Sequence, residues 1–480
     1  MVELKVENSK SYANPFKDVD LECMTVSPSG RNLKVYGFFD GGNTWKLRLM
    51  PDEIGVWKYY SKFSDGAKGP QGTIKCIAGK LKGPLKISKK YPLWFERGDG
   101  TPVYISSFYQ WHIEELDADT LAKTLDYLKS MGFNCVVSPH LSSKKFLWVA
   151  DGKGVIDFSR FNLDMWQRFD KGLAALAERD MVLIPFNVFG GTNYVPKIPT
   201  REEEDLFIRY WVARWGGFWN VTYQPISEYE EGYKDAEVAR ICSKIHEEDG
   251  NRHVVSIHSG LRATETVQSG KWLDYHTIQD KLMEHDPIKY VSLAELYHKN
   301  KKPMLAHECL WEGNVYQEKA GLDMDNMRRG AWVLSLCGAQ INYADEVSFP
   351  RNFQIRSKEA PFYSITGAAM KPCGQLYGSL KIISDFMRSI SFWRLIPCPE
   401  LSSSKVCLAD VGKDYVAYSL DGAEFSLDLT KAQGKLKASW LNPRTGERSK
   451  ETNIEGGASR SFTPPDTNDW VIYVTSGKSK

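Results

Sequence analysis

The amino-acid sequence predicts an α/β protein: a (β/α)8 TIM barrel flanked by an N-terminal and a C-terminal β-sandwich. Three observations carry that expectation. Between residues 82 and 397, eight short apolar runs alternate with amphipathic helical segments, and eight is the number of strands a barrel needs to close. Residues 1–81 and 398–480 instead alternate apolar and polar positions between Gly- and Pro-bearing turns, with no helical period to interrupt them. Two of the eight runs stop abruptly on a glutamate with aromatic residues around it, as strands do when they deliver carboxylates to the C-terminal rim of a barrel. At 480 residues the chain exceeds one ordinary domain, so three units are expected, at 1–81, 82–397 and 398–480.

In the first unit Arg31 to Gly42 runs into Trp45 to Leu49 as an alternating pair about a Gly-rich turn, and Gly55 to Tyr60 adds a further stretch. Lys80 to Pro84 is a basic connector. The barrel strands then read in order as Pro102 to Trp111, Asn134 to His140, Met181 to Asn187, Asn220 to Glu228, His253 to His258, Leu273 to Gln279, Pro303 to Glu308 and Gln340 to Tyr343. Helices separate them; the first, Thr120 to Met131, carries Leu121, Leu125 and Leu128 on one stripe, and Leu376 to Arg388 closes the ring. In the last unit Tyr415 to Ser419, Phe425 to Leu429, Lys435 to Trp440 and Trp470 to Val474 are strand-like, with a turn at Asn442 to Gly446.

Composition excludes several function classes. A net charge of +2 with no basic run argues against nucleic-acid and membrane-surface partners. No apolar run approaches membrane-spanning length, and the first residues lack a signal-peptide core, so the chain reads as cytoplasmic, or as secreted or periplasmic with a signal removed. Nine cysteines without close pairs or metal-type spacing read as reduced thiols. No helical zinc pair, G-x-S-x-G elbow, P-loop or dinucleotide fingerprint is present, so neither a metal nor a cofactor is expected. The informative excess is aromatic: 15 Trp, 23 Tyr and 22 Phe, rings of a kind that stack on sugar faces.

Glu228 ends the fourth expected strand and Glu308 the seventh, so both can reach one point across the barrel mouth. Glycosidic cleavage requires such a pair: one carboxyl protonates the leaving oxygen, and the other attacks C1 or activates water. The competing reading makes both exposed or ion-paired loop acids, as most Asp and Glu are. Glu230 and Glu231 could replace Glu228, and Asp345 and Glu346 stand in reserve. His140, His258, His307 and Gln279 also fall at strand ends, placed to bind sugar hydroxyls or simply to fill the rim. Trp111, Trp311, Tyr223 and Phe108 are stacking candidates, and Glu312 is a further substrate contact, a support behind the catalytic carboxylates or a salt-bridge acid.

By its Ser227-Glu228-Tyr229, its Glu308-Cys309-Leu310-Trp311-Glu312-Gly313 and the terminal Trp440 to Gly446, the chain resembles the apiosidase-like glycoside hydrolases, of the wider retaining clan A. Tyr12 to Val19, Pro28-Ser29-Gly30, Gly37 to Gly41 and Gly55-Val56-Trp57 resemble the β-sandwich that precedes such barrels. The family's Asn-Glu-Tyr is matched by Ser227-Glu228-Tyr229, and its Glu-x-x-Tyr-Glu-Gly by Glu308-Cys309-Leu310-Trp311-Glu312-Gly313. Trp440 to Gly446 and Pro464-Pro465 before Asp469-Trp470 resemble the small collagen-binding-like β domain that often follows. The resemblance implies a retaining mechanism with Glu228 as acid/base and Glu308 as nucleophile, acting on a plant or algal polysaccharide or a derived oligosaccharide without a cofactor. Ser227 replaces the usual Asn and Trp311 the usual Tyr, both at the site floor. A non-catalytic carbohydrate-binding or scaffold protein on a degenerate barrel is the alternative.

Overall fold

The computed structural model describes residues 1–110, 113–114, 116–138, 147–186, 188–189, 197–250, 252–260, 263–279, 286–312, 324–345 and 376–477, with Asp345 described by its backbone alone. The N-terminal region forms a pair of antiparallel sheets, one of Val2–Glu7, Thr44–Leu49 and Phe38–Gly41, the other of Asn32–Tyr36, Leu21–Val26, Gly55–Phe63 and Lys68–Cys76. Alternation decides which side chains meet: Val6, Leu21, Cys23, Val35, Phe39, Trp45, Leu47 and Phe63 all point into one buried cluster. The turn about Gly41 and Gly42 is a hairpin as expected, pairing Phe39 with Trp45. The run from Arg31 to Gly42, expected as one strand, instead divides at Gly37 between the two sheets. A Cβ at Gly37 would lie 2.6 Å from Leu21 Cδ2 and 2.8 Å from the Lys46 carbonyl, so only glycine permits the crossing.

A small antiparallel sheet of Leu85–Ile87, Phe95–Arg97 and Pro102–Val103 follows, so residues 102 and 103 lie outside the strand expected to contain them. Leu85 and Phe95 join the cluster inside the central sheet and plug its lower end.

Among the described residues the central sheet is wholly parallel and has seven strands: β1 (Ser106–Tyr109), β2 (Cys135–Ser138), β3 (Val182–Pro185), β4 (His258–Ser259), β5 (His276–Ile278), β6 (Met304–Glu312) and β7 (Ala339–Asp345). They run in the order β3-β2-β1-β7-β6-β5-β4. The fourth of the eight expected strands is reduced to two isolated parallel bridges, Leu183 with Val221 and Tyr223 with Val255, which tie residues 220–226 to β3 on one side and to the approach to β4 on the other. Cys135, Val137, Val182, Ile184 and Leu305 point inward, while Val136, Leu183, Val221 and Tyr223 point out against the helices. Helices α1 (Ala118–Ser130), α2 (Leu163–Glu178) and α3 (Arg201–Trp215) begin at side-chain caps from Asp117, Asn162 and Thr200. α4 (Asp235–Asp249) ends on left-handed Gly250. The outer layer continues with α5 (Glu265–Ser269), α6 (Lys289–His298), α7 (Met324–Leu336) and α8 (Tyr377–Ser389).

Buried ion pairs join these regions. Arg214 of α3, fully buried, bonds Asp40 at 2.9 Å and Asp170 of α2 at 2.7 Å, and Arg48 adds a 2.7 Å bond to the same Asp170. At the other end Asp469 receives Arg328 of α7 at 2.7 Å and the Tyr418 hydroxyl at 2.8 Å. The C-terminal region comprises a six-stranded antiparallel sheet and a two-stranded one, with Leu427, Leu436, Phe462 and Ile472 in a common cluster. No disulfide joins the eight described cysteines, and no helix among the described residues is long and apolar enough to cross a membrane.

Candidate active site

At the C-terminal end of the central sheet four rings from alternate strand positions form a layer: Tyr109 of β1, Phe186 just after β3, His258 of β4 and His307 of β6. Ring centroids lie 5.6 Å apart for Tyr109 and Phe186, 5.0 Å for Phe186 and His258, 4.7 Å for the two imidazoles and 5.4 Å for His307 and Tyr109. Such a layer, fed by every second strand, is how inward side chains fill a parallel barrel. All four rings are buried. Burial pushes the His307 imidazole down to about 3, so it stays neutral through the ordinary pH range. Neither of its ring nitrogens has a hydrogen-bond partner among the described residues.

Glu308 follows His307, and β6 is irregular at this point. Ala306 pairs with Ile341 and Leu310 with Tyr343, so three residues of β6, His307 to Cys309, stand opposite the single Asn342. The β6 strand therefore continues to Glu312, beyond the end expected at Glu308. A bulge of this kind re-aims a side chain without ending the strand. It is pinned by Asn342 Nδ2, which donates to the His307 carbonyl at 2.7 Å, while Ser107 Oγ donates to Asn342 Oδ1 at 2.7 Å. The half-buried Glu308 carboxylate accepts from the Tyr109 hydroxyl at 3.2 Å. Burial first, then the charge of Glu308 and its hydrogen bond, then the charge of Glu228, hold the Tyr109 phenol well above its ordinary value. Both carboxylates thus act on one ring.

Glu228 reaches the site by different means. Its backbone is left-handed, at φ 42° and ψ 50°, a conformation that costs a side-chain-bearing residue about 1–2 kcal/mol. Its amide contacts His258 Nδ1 at 3.4 Å. Its side chain lies against Gly260, where a Cβ would come within 2.9 Å of Glu228 Cγ. The nearby acids are otherwise engaged or directed: Glu230 accepts from Ser259 Oγ and, at 3.1 Å, from the Gly260 amide, and Glu231 is exposed.

Of the residues expected at the site, Glu228, Glu308, His258 and His307 come together. Trp311 points inward beside Tyr109, ring centroids 5.7 Å apart. Gln279, directly after β5, is buried with its amide unpartnered among the described residues. Tyr223 does not reach the site. Strand alternation turns Thr222 and Gln224 inward and Tyr223 outward, onto Trp211 of α3 at 4.9 Å. Phe108 is turned outward in the same way, against Phe133. Glu312 also faces the outer layer, accepting from Tyr343 Oη at 2.6 Å and from the Leu376 amide at 3.4 Å, so it ties β6 to β7 and α8 rather than meeting a sugar. Trp111, His140 and Glu346 lie outside the described residues, as does the Asp345 side chain. Tyr109, Phe186 and Gly260 were not anticipated. The parity that turns Phe108 outward is the signal that would have selected Tyr109.

Three family models match. "Apiosidase-like, catalytic domain" covers residues 92–343, "Domain of unknown function (DUF5060)" residues 1–64, and "Putative collagen-binding domain of a collagenase" residues 396–475. Among solved structures, a "putative glycoside hydrolase" from Bacteroides vulgatus ATCC 8482 is similar with a TM-score of 0.76 at 20% identity, covering 99% of this chain and 98% of that one. A glycoside hydrolase family 5 protein from the same organism gives 0.65 at 16%, covering 82% and 93%. At these identities the likeness is one of fold. No curated protein matches the chain.

Proposed function

The chain belongs to the apiosidase-like catalytic family and is a glycoside hydrolase; from that premise we propose that it retains anomeric configuration, with Glu308 as nucleophile and Glu228 as acid/base, on a plant or algal polysaccharide or a derived oligosaccharide. The observation that carries the assignment is Tyr109, whose phenol bonds Glu308 and feels the charge of Glu228. In the first step a Glu308 oxygen attacks C1 while Glu228 protonates the departing oxygen. In the second, Glu228 takes a proton from water, which displaces Glu308. The Tyr109 hydroxyl holds Oε1 of Glu308 and so orients the carboxylate. Trp311 supplies a sugar-stacking face, and His258, His307 and Gln279 supply polar contacts at the floor.

The same proposal takes the central sheet, with residues 220–226, as a closed (β/α)8 barrel spanning 82–397, between β-sandwiches at 1–81 and 398–480. The test is hydrolysis of a broad panel of plant and algal polysaccharides and aryl glycosides, with the anomer of the first product read by NMR. One glycan cleaved with retention, and lost in Glu308→Gln, is expected; equal cleavage by the variant overturns the assignment. Ser227, only 2% exposed, favours one second reading, a binding-only barrel, which predicts glycan affinity without turnover.

A further inference from the structure

His258, His307 and Glu308 each bring one donor atom within 4.8 Å of the other two. We infer that this trio binds a zinc-class divalent ion. The donor set is two imidazoles and a carboxylate, one of the sets that hold zinc with a fourth position open to an exogenous ligand. The irregularity of β6 makes the set possible. In a regular strand, consecutive side chains address opposite faces, so His307 and Glu308 could not converge. The bulge at 307–309 turns both toward the same interior.

His307 supplies an independent sign. It is fully buried, and neither ring nitrogen meets a partner among the described residues. Buried polar atoms are ordinarily bonded, and both nitrogens of this imidazole stand available to a ligand among the described residues. Tetrahedral zinc, with bonds of about 2.0–2.2 Å, holds its ligand atoms roughly 3.3–3.6 Å apart. The trio therefore closes by no more than about 1.5 Å on binding. The Glu308 side chain is only half-buried, and the 3.4 Å contact from the Glu228 amide to His258 Nδ1 is long for a hydrogen bond. Both can yield that distance. Calcium and magnesium, which prefer all-oxygen shells, do not fit. With its carboxylate on the ion, Glu308 is withdrawn from attack on a sugar, so the bound ion inhibits.

The experiment is calorimetric titration of the full chain with ZnCl2 and, separately, MgCl2, for wild type, His258→Gln and His307→Gln, with circular dichroism to check folding. Wild type is expected to bind one zinc with micromolar or tighter affinity and no magnesium, and each variant to lose at least ~100-fold. Cobalt(II) in place of zinc is expected to give a tetrahedral visible spectrum that both variants lack. Should His307→Gln not fold, His258→Gln decides alone. Wild type taking up no zinc at ~1 mM, or variants binding as tightly as wild type, overturns the inference. Binding is read without a sugar substrate, so its failure is separate from failure of the hydrolytic assignment. On the glycan that the chain cleaves, inhibition by zinc that EDTA reverses is expected, and full activity at saturating zinc overturns the blocked-nucleophile reading.

Discussion

Glu308 and Glu228 arrive at one site by opposite construction. Glu308 belongs to a strand, and its aim comes from a bulge whose carbonyl, partner amide and partner hydroxyl are all hydrogen-bonded across three strands. Glu228 stands where residues 220–226 leave the sheet, and its aim comes from one left-handed backbone conformation and the bare Cα of Gly260 behind it. One carboxylate is aimed by a hydrogen-bonded bulge, the other from a left-handed backbone position packed against a bare glycine Cα. The difference teaches where tolerance lies: a hydrogen-bonded bulge can lose a member and keep its shape, whereas a side chain packed on a bare Cα cannot accept a methyl group there.

The largest expected effect tests whether the fixed member does the covalent step. Glu308→Gln should reduce kcat/KM by at least ~10³-fold on any glycan the wild type cleaves, because loss of a nucleophile removes the intermediate. Glu228→Gln should cost ~10²–10⁴-fold on natural glycans. It should cost far less on aryl glycosides with acidic leaving groups, since these need no proton. Steady-state kinetics on both substrate types separates the two; equal losses on both for Glu228→Gln would remove its acid role.

How much of this asymmetry the sequence disclosed follows from the physics of each region. The alternation of apolar runs and helices was legible, because burial on two faces forces continuous apolar strands. The sequence also pointed to the region where Glu228, His258, His307 and Glu308 meet, although His307 and Glu308 lie within β6 rather than at its end. The bulge was not: Leu310, Trp311 and Glu312 look like a loop after Glu308 because their apolar character resumes out of register, and only pairing with Ala339–Asp345 reveals the strand. Tyr223 and Glu312 were misplaced for a related reason. A residue type suited to sugars says nothing about which face it occupies, and parity, fixed by neighbours such as Thr222 and Tyr343, decides it. The fourth strand read as an ordinary run, yet Asn220 to Ile226 pairs through only two bridges, and pairing is a property of its neighbours.

Two milder substitutions sharpen the comparison. Gly260→Ala sets a methyl 2.9 Å from Glu228 Cγ and so displaces the carboxylate. A displacement of that size should cost ~10–100-fold in kcat/KM with little change in unfolding midpoint. Tyr109→Phe removes one hydrogen bond to Glu308 while the bulge remains, and the loss should be nearer ~10-fold, about 1–1.5 kcal/mol. Kinetics and thermal unfolding on the same preparations check both. If Tyr109→Phe proved the more damaging, the nucleophile would be the precariously held member and the contrast would be reversed.

The last expected effect concerns stability rather than turnover and distinguishes the two sides by pH. The His307 imidazole, neutral and buried beneath Glu308, titrates in the folded chain at about 3, against about 6.5 when unfolded. Between those values the unfolded chain binds one more proton at this residue, so its contribution to stability is fully present above about pH 6.5 and is lost as pH falls. Going from pH 7 to pH 5 should cost ~2 kcal/mol through this group. His276, held down to about 3 by burial first, adds a similar slope. Urea unfolding at the two pH values should therefore show a smaller drop in His307→Gln than in wild type by about that amount. Gly260→Ala, which disturbs only the Glu228 side, should keep the wild-type drop. An unchanged pH dependence in His307→Gln would mean that the ring under Glu308 is solvated in the folded chain, and that the floor of the site is wet on both sides.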